Sequence, residues 1–138
     1  MKKHHTKSLG DLGILKAQLD LFEKGFIVAI PQTEHAPFDL MIHKGGVSRT
    51  VQVKARSVDA KGNLNVNFSS TYSDSKKMHT VRVDKKQIDI YCVYCPDTDK
   101  CYYFDPKKFN KSVCLRVEMP KNNQRQNVNF ADDYCQVP

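Results

Sequence analysis

Residues 38–55, FDLMIHKGGVSRTVQVKA, leave the chain little choice of local shape. Phe38, Leu40 and Ile42 alternate with polar positions before the Gly45-Gly46 pair, and Val51 and Val53 alternate with Gln52 and Lys54 after it. A period of two marks a strand with one buried face, and paired glycines accept the positive φ angles of a two-residue hairpin turn. Such a turn sets Lys44 against Val47 and, counted outward along both arms, Asp39 against Gln52. Lys54 lies two residues beyond Gln52 and projects from the same side, while Val51 and Val53 pack on the other. Directly opposed side chains have β-carbons about 4.5–5.5 Å apart, close enough to share one cation or a water. An acid, an amide and an amine therefore meet on one face, although any half-exposed sheet also presents polar residues to solvent.

Upstream, Leu12, Leu15, Leu19 and Phe22 recur at spacings of three and four, which predicts an amphipathic helix from about Ser8 to Lys24, stopped by Gly25. Asp11 falls in its first turn, where a carboxylate complements the helix dipole. FIVAI, residues 26–30, reads as a short buried strand ended by Pro31. Downstream, Leu64, Val66 and Phe68 alternate after the turn-forming DAKGN, IDIYCVYC turns at PDTD into KCYYF, and SVCLRV alternates again. One helix, several strands and no repeat or linker-like shift predict a single domain over residues 1–138, of α/β (α+β) type around a mixed sheet. The tail from about residue 119 is less regular.

Lys and Arg outnumber Asp and Glu by 22 to 15, a net charge of +7 that favours polyanionic partners such as nucleic acid. The basic residues form clusters: Lys2, Lys3 and Lys7; Lys76, Lys77, Arg82, Lys85 and Lys86; Lys107, Lys108 and Lys111; Arg116, Lys121 and Arg125. Residues 69–79, SSTYSDSKKMH, read as a loop in which Tyr72, Lys76 and Lys77 contact phosphate, and Arg125 in PKNNQRQN has the donors for base edges. The longest apolar run, FIVAI, is far short of the ~20 residues of a membrane helix, and no signal region follows the basic start, so an intracellular chain is expected, with no membrane partner. Its five cysteines are then expected to be thiols. Zinc is disfavoured because a strand sends Cys92 and Cys95 of the CxxC to opposite faces. A P-loop, an HExxH and an activated Ser or Cys nucleophile are all missing from the sequence.

Asp39 followed by Gln52-Val53-Lys54 resembles the PD-(D/E)XK nuclease motif, with PFD in place of the usual proline-aspartate and Gln52 where the usual residue is acidic. KSLGDLGILKAQLDLFEKGFIVAIP is similar to that family's first helix, whose inward acidic residue is here Asp11. IDIYCVYCPDTDKCYYF resembles the strand pair after the motif in homing endonucleases encoded by cyanobacterial group I introns, a branch in which the Gln form also occurs. The resemblance runs from about Lys7 to Glu118 and implies a restriction-endonuclease-like core, a mixed sheet flanked by helices.

It also implies hydrolysis of double-stranded DNA with Mg2+, or Mn2+ in its place. Asp39, Gln52 and the Val53 carbonyl are the implied metal ligands, Asp11 either a further ligand or a base behind them on the helix, and Lys54 the group that holds the attacking water or stabilises the charged transition state. Glu34 and His35, just ahead of the motif, are within reach of the same place. Four copies assembling as a homotetramer would let a small chain span a long target. The alternatives are a structure-specific nuclease such as a Holliday-junction resolvase, and a DNA-binding protein of the same fold without catalysis, to which Gln52 would be suited.

Overall fold

The computed structural model of the chain describes residues 6–73, 78–82, 85–118 and 128–138; for residue 6 and residues 69–73 and 78–82 it describes the backbone alone. Its single α-helix among these, α1 (Thr6–Glu23), ends as the sequence requires. Gly25 takes φ +88, its N–H bonds the Phe22 carbonyl, and the Phe26 N–H reaches back to Leu21, which closes the last turn.

The face that α1 buries differs from the expected one. Gly13, Ala17 and Leu21 lie against the sheet, whereas Leu15, Leu19 and Phe22 are 63%, 54% and 71% exposed. At ~100° per residue the two stripes sit on opposite sides of the helix. Periodicity identifies both stripes but ranks them by side-chain size, and here small residues win because they let the backbones close. A Cβ on Gly13 would stand 3.2 Å from the Ala55 Cβ.

Five strands form the main sheet in the order β1-β2-β3-β7-β8: β1 (Ile27–Ala29), β2 (Leu40–Lys44), β3 (Val47–Ala55), β7 (Ile90–Cys95) and β8 (Lys100–Phe104). The β2–β3 hairpin has the expected register, Lys44 against Val47 through Leu40 against Val51, and its Gly45 and Gly46 take φ +60 and +79. Beyond it β3 pairs in parallel with β7, while the other pairs are antiparallel, so the sheet is mixed. Thr50 and Asp89 lock that parallel junction: Thr50 N–H donates to Asp89 Oδ2 at 2.9 Å and Asp89 N–H to Thr50 Oγ1 at 3.0 Å. FIVAI is an edge strand rather than a buried one, for β1 pairs only with β2, and Ile27 is 67% and Ile30 60% exposed.

Two cores follow from strand alternation. Leu40, Ile42, Val51, Val53, Ile90, Cys92 and Tyr103 pack under Ala17 and Leu21. On the opposite face Tyr91, Val93, Tyr102 and Phe104 pack against β4 (Asn63–Asn67) and β9 (Ser112–Arg116). Those two strands pair with each other, and β9 also pairs with β10 (Asn129–Phe130). Among the described residues α1 covers one face of the main sheet and this second sheet the other, an α+β arrangement around a mixed sheet. Cys92 and Cys95 fall in opposite cores. Residues 69–73 and 78–79, expected in a loop, are strand instead: β5 (Ser69–Ser73) and β6 (Met78–Arg82) pair as an antiparallel ribbon. Among the described residues, no helix is long and apolar enough to cross a membrane.

Candidate active site

Strand β3 outruns β2. The last ladder pair between them is Leu40 with Val51, so Gln52, Val53, Lys54 and Ala55 pair only with Tyr91, Cys92, Val93 and Tyr94 of β7. An edge of β3 is thereby left open, and Asp39 stands in it. The Asp39 N–H donates to the Val51 carbonyl at 3.0 Å, so Asp39 and Leu40 both address Val51 in the manner of a bulge. The hairpin arithmetic fails at this last step, because Asp39 does not continue as the ladder partner of Gln52. Its carboxylate reaches one residue further, where Oδ2 accepts the Val53 N–H at 2.9 Å. The N–H and C=O of one strand residue point to the same edge. The Val53 carbonyl therefore faces the gap that Asp39 occupies, while its side chain lies under α1.

Burial dominates the electrostatics. The Asp39 carboxyl is held above the usual carboxylate range by desolvation, against the opposing pull of the Val53 N–H and the Lys54 ammonium. Lys54 is held below the usual lysine range by burial and then by Arg56, against the attraction of Asp39. An acid and an amine within electrostatic reach of each other are thus both short of solvent, an arrangement common where a protein tunes groups for chemistry. Gln52 shares their face, half-buried, with no hydrogen bond from its carboxamide to any described residue.

Other expected residues stand apart. Asp11 is exposed, and because α1 begins at Thr6 it sits in the second turn, on the side away from the buried stripe, so it is not the inward acid. No hydrogen bond or ion pair links it to Asp39 or Lys54 among the described residues. Glu34 and His35 are exposed, the His35 N–H resting on Thr33 Oγ1 at 3.2 Å. Tyr72 lies on β5 opposite His79; Lys76, Lys77 and Arg125 lie outside the described residues. Lys85, expected on a basic surface, instead donates to the carbonyls of Phe109 and Asn110 and lies over the Phe68 ring at 4.6 Å. Lys107, Lys108 and Lys111 are exposed.

Sequence reasoning passed over Tyr91. It is the β7 partner of Gln52, fully buried, and its hydroxyl has no hydrogen-bond partner among the described residues. Burial and then the charge of Asp39 push its pKa up to about 12. Its aromatic neighbours in YCVYC disguise it as core filler, and only the parallel β3–β7 pairing brings it to the motif. A cavity of about 340 Å³ lined by Lys16, Asp20, Tyr94 and Cys101 lies elsewhere, between α1 and the β7–β8 turn. Among the described residues no three His, Cys, Asp or Glu side chains converge, so the donors at the β3 edge are one carboxylate with carboxamide and carbonyl oxygens.

No curated protein matches the chain. Its fold is similar to that of a bacterial homing endonuclease, I-Ssp6803I, with a TM-score of 0.77 at 22% identity over 95% of this chain and 88% of that one. A Holliday junction resolvase, Hjc of Archaeoglobus fulgidus, aligns with a TM-score of 0.48 at 12% identity over 78% of this chain and 83% of that one. Residues 4–137 match the PD-(D/E)XK endonuclease family. An aspartate ahead of β2, tied to the strand that bears Gln52-Val53-Lys54, is the arrangement that motif describes, and with nearly the whole sequence matched the chain belongs to the PD-(D/E)XK endonuclease family.

Proposed function

We propose that this endonuclease cuts double-stranded DNA at a long specific site, as a homing enzyme, with Mg2+ as cofactor and Mn2+ able to replace it. The observation that carries the reading is the bond from Val53 N–H to Asp39 at the open edge of β3, with Lys54 beside it on the same strand. The donors suit the ion: the Asp39 carboxylate, the Val53 carbonyl and the Gln52 amide are hard oxygens, with no thiolate or imidazole among them. A divalent ion bound there supplies positive charge against the phosphate and lowers the pKa of water. Asp39 would hold the ion, whose charge would favour the ionised carboxylate that burial disfavours. Gln52 offers an oxygen but no charge, so tight binding waits on oxygens of the DNA.

The Lys54 ammonium would donate a hydrogen bond to the attacking water and face the charge that builds on phosphorus-bound oxygen. One P–O bond forms to the water oxygen, which gives up a proton to solvent, and the P–O bond to the sugar oxygen breaks, that oxygen taking up a proton from solvent as it leaves. Asp11 joins the site only if substrate or a second copy draws its helix end closer. The exposed Lys107, Lys108 and Lys111, with Tyr72 on the β5–β6 ribbon and Lys76, Lys77 and Arg125, are assigned to the phosphate backbone and grooves; a two-stranded ribbon is narrow enough for the major groove. The chain is assigned to the cell interior, where its DNA lies.

A second copy would cover Leu15, Leu19 and Phe22, an apolar stripe unusual for a solvated helix face. Sedimentation is expected to give a homotetramer that Phe22→Glu splits into smaller species; a wild-type monomer at working concentration would remove the assembly. The activity is tested with a pool of random-sequence duplexes and a four-way junction, each in Mg2+ and in EDTA. Cleavage in Mg2+ enriching one long sequence, none in EDTA, and no preference for the junction are expected. Preferential junction cutting would favour a resolvase instead, and binding without cutting in either metal an inactive DNA-binding protein.

A further inference from the structure

We infer that Tyr91 is a positioning residue of the same site, its hydroxyl held in reserve to fix the Asp39 carboxylate in the ion-bound, DNA-bound state. The inference rests on the endonuclease reading and adds a group that the motif does not contain. Tyr91 stands on β7 beside Gln52, and Val51–Ile90 and Val53–Cys92 flank that pair on the opposite face. Its side chain therefore shares the face of Gln52 and Lys54.

Packing alone does not call for a tyrosine there. The ring stacks on Phe104 at 5.6 Å between centroids with planes 7° apart, and tilts against Phe68 at 5.0 Å. Phenylalanine would make both contacts without burying a hydroxyl. A fully buried O–H with no partner among the described residues is destabilising, and native proteins keep such groups where a ligand or bound water completes them. A phenol O–H meets a carboxylate as a donor, and Asp39, bonded to the strand residue next to Gln52, is the acid beside the pair that Tyr91 and Gln52 form. One oxygen of Asp39 is held by Val53 N–H. The other accepts no hydrogen bond among the described residues, and a donor from β7, direct or through one water, would stop the carboxylate rotating away when the ion pulls on it.

Tyr91→Phe separates this role from packing. Melting temperature is measured without metal, with Mg2+, and with Mg2+ and the random duplex pool, alongside the cleavage rate on that pool. Without metal the variant is expected to melt at or above the wild type, since it loses an unpaired buried hydroxyl. The rise in melting temperature on adding Mg2+ and DNA is expected to shrink, and cleavage to fall about 10- to 100-fold, the scale of losing a group that orients catalytic machinery. A metal-free variant that melts well below the wild type would show that the hydroxyl serves the fold and overturn the inference. So would a variant matching a responsive wild type in metal response and cleavage. A wild type that neither responds to Mg2+ nor cuts DNA would instead overturn the nuclease reading itself, and this inference with it.

Discussion

Asp39→Asn is expected to abolish cleavage, by about a thousandfold or more, while the folded protein becomes no less stable. The rate follows from charge: among the described residues the carboxylate is the one acid at the open β3 edge, and groups that fix transition-state charge are worth ~10²–10³ each, more when they also hold a metal. Stability follows from the geometry around it. The amide oxygen of asparagine can still accept the Val53 N–H that now bonds Asp39 at 2.9 Å, and the substitution removes a charge that burial disfavours. Because the folded-state pKa of Asp39 is raised, its ionised form counts against folding once pH passes the unfolded value, so the gain from asparagine should be present at neutral pH and vanish in acid. Asp39→Ala should lose cleavage equally but leave the Val53 N–H unpaired, a cost of roughly 1–3 kcal/mol. Denaturant titrations with gel cleavage assays on the same preparations check both halves. Wild-type cleavage by either variant would remove Asp39 from the mechanism.

Lys54→Met should fall nearly as far in cleavage, about 10²–10³-fold, with a different signature. Methionine keeps the aliphatic packing of a half-buried lysine and removes only the ammonium. DNA binding should be retained, and the affinity for Mn2+, read by calorimetry, should hold or rise, because a positive charge beside the ion has gone. Asp39→Asn should lose that affinity, so metal titration distinguishes an ion-holding group from one that acts on water and phosphate. Lys54→Arg should not restore the rate, since guanidinium is larger and planar. Burial and Arg56 hold Lys54 below the usual lysine range, and the proposed mechanism uses its charged form. Activity should therefore decline on the basic side at a pH lower than an ordinary lysine would give, and Arg56→Gln should move that decline upward. A basic limb unchanged in Arg56→Gln would count against the charged lysine.

The motif's local frame was written in the sequence because it depends on neighbours along the chain. Alternation across residues 38–55 and the Gly45-Gly46 turn dictated strands, faces and register as far as Leu40 and Val51, and the same period put Cys92 and Cys95 in opposite cores. Contacts between distant segments were not legible in that way. Which side of α1 packs depended on how closely helix and sheet backbones approach, and Gly13 and Ala17 won over larger residues for that reason. The ribbon at residues 69–82 hid behind loop-like composition, since hydroxyl-rich strands lack an apolar alternation to announce them. At the site, the sequence supplied Asp39, Gln52 and Lys54, but tertiary structure decided how they meet. Strand β3 overhangs β2 along its parallel pairing with β7, Asp39 turns onto the Val53 amide, and the Tyr91 hydroxyl, without a hydrogen-bond partner among the described residues, comes from the β7 neighbour of Gln52. Side-chain direction is a local property of a strand, whereas pairing across the sheet is settled only when the whole core closes.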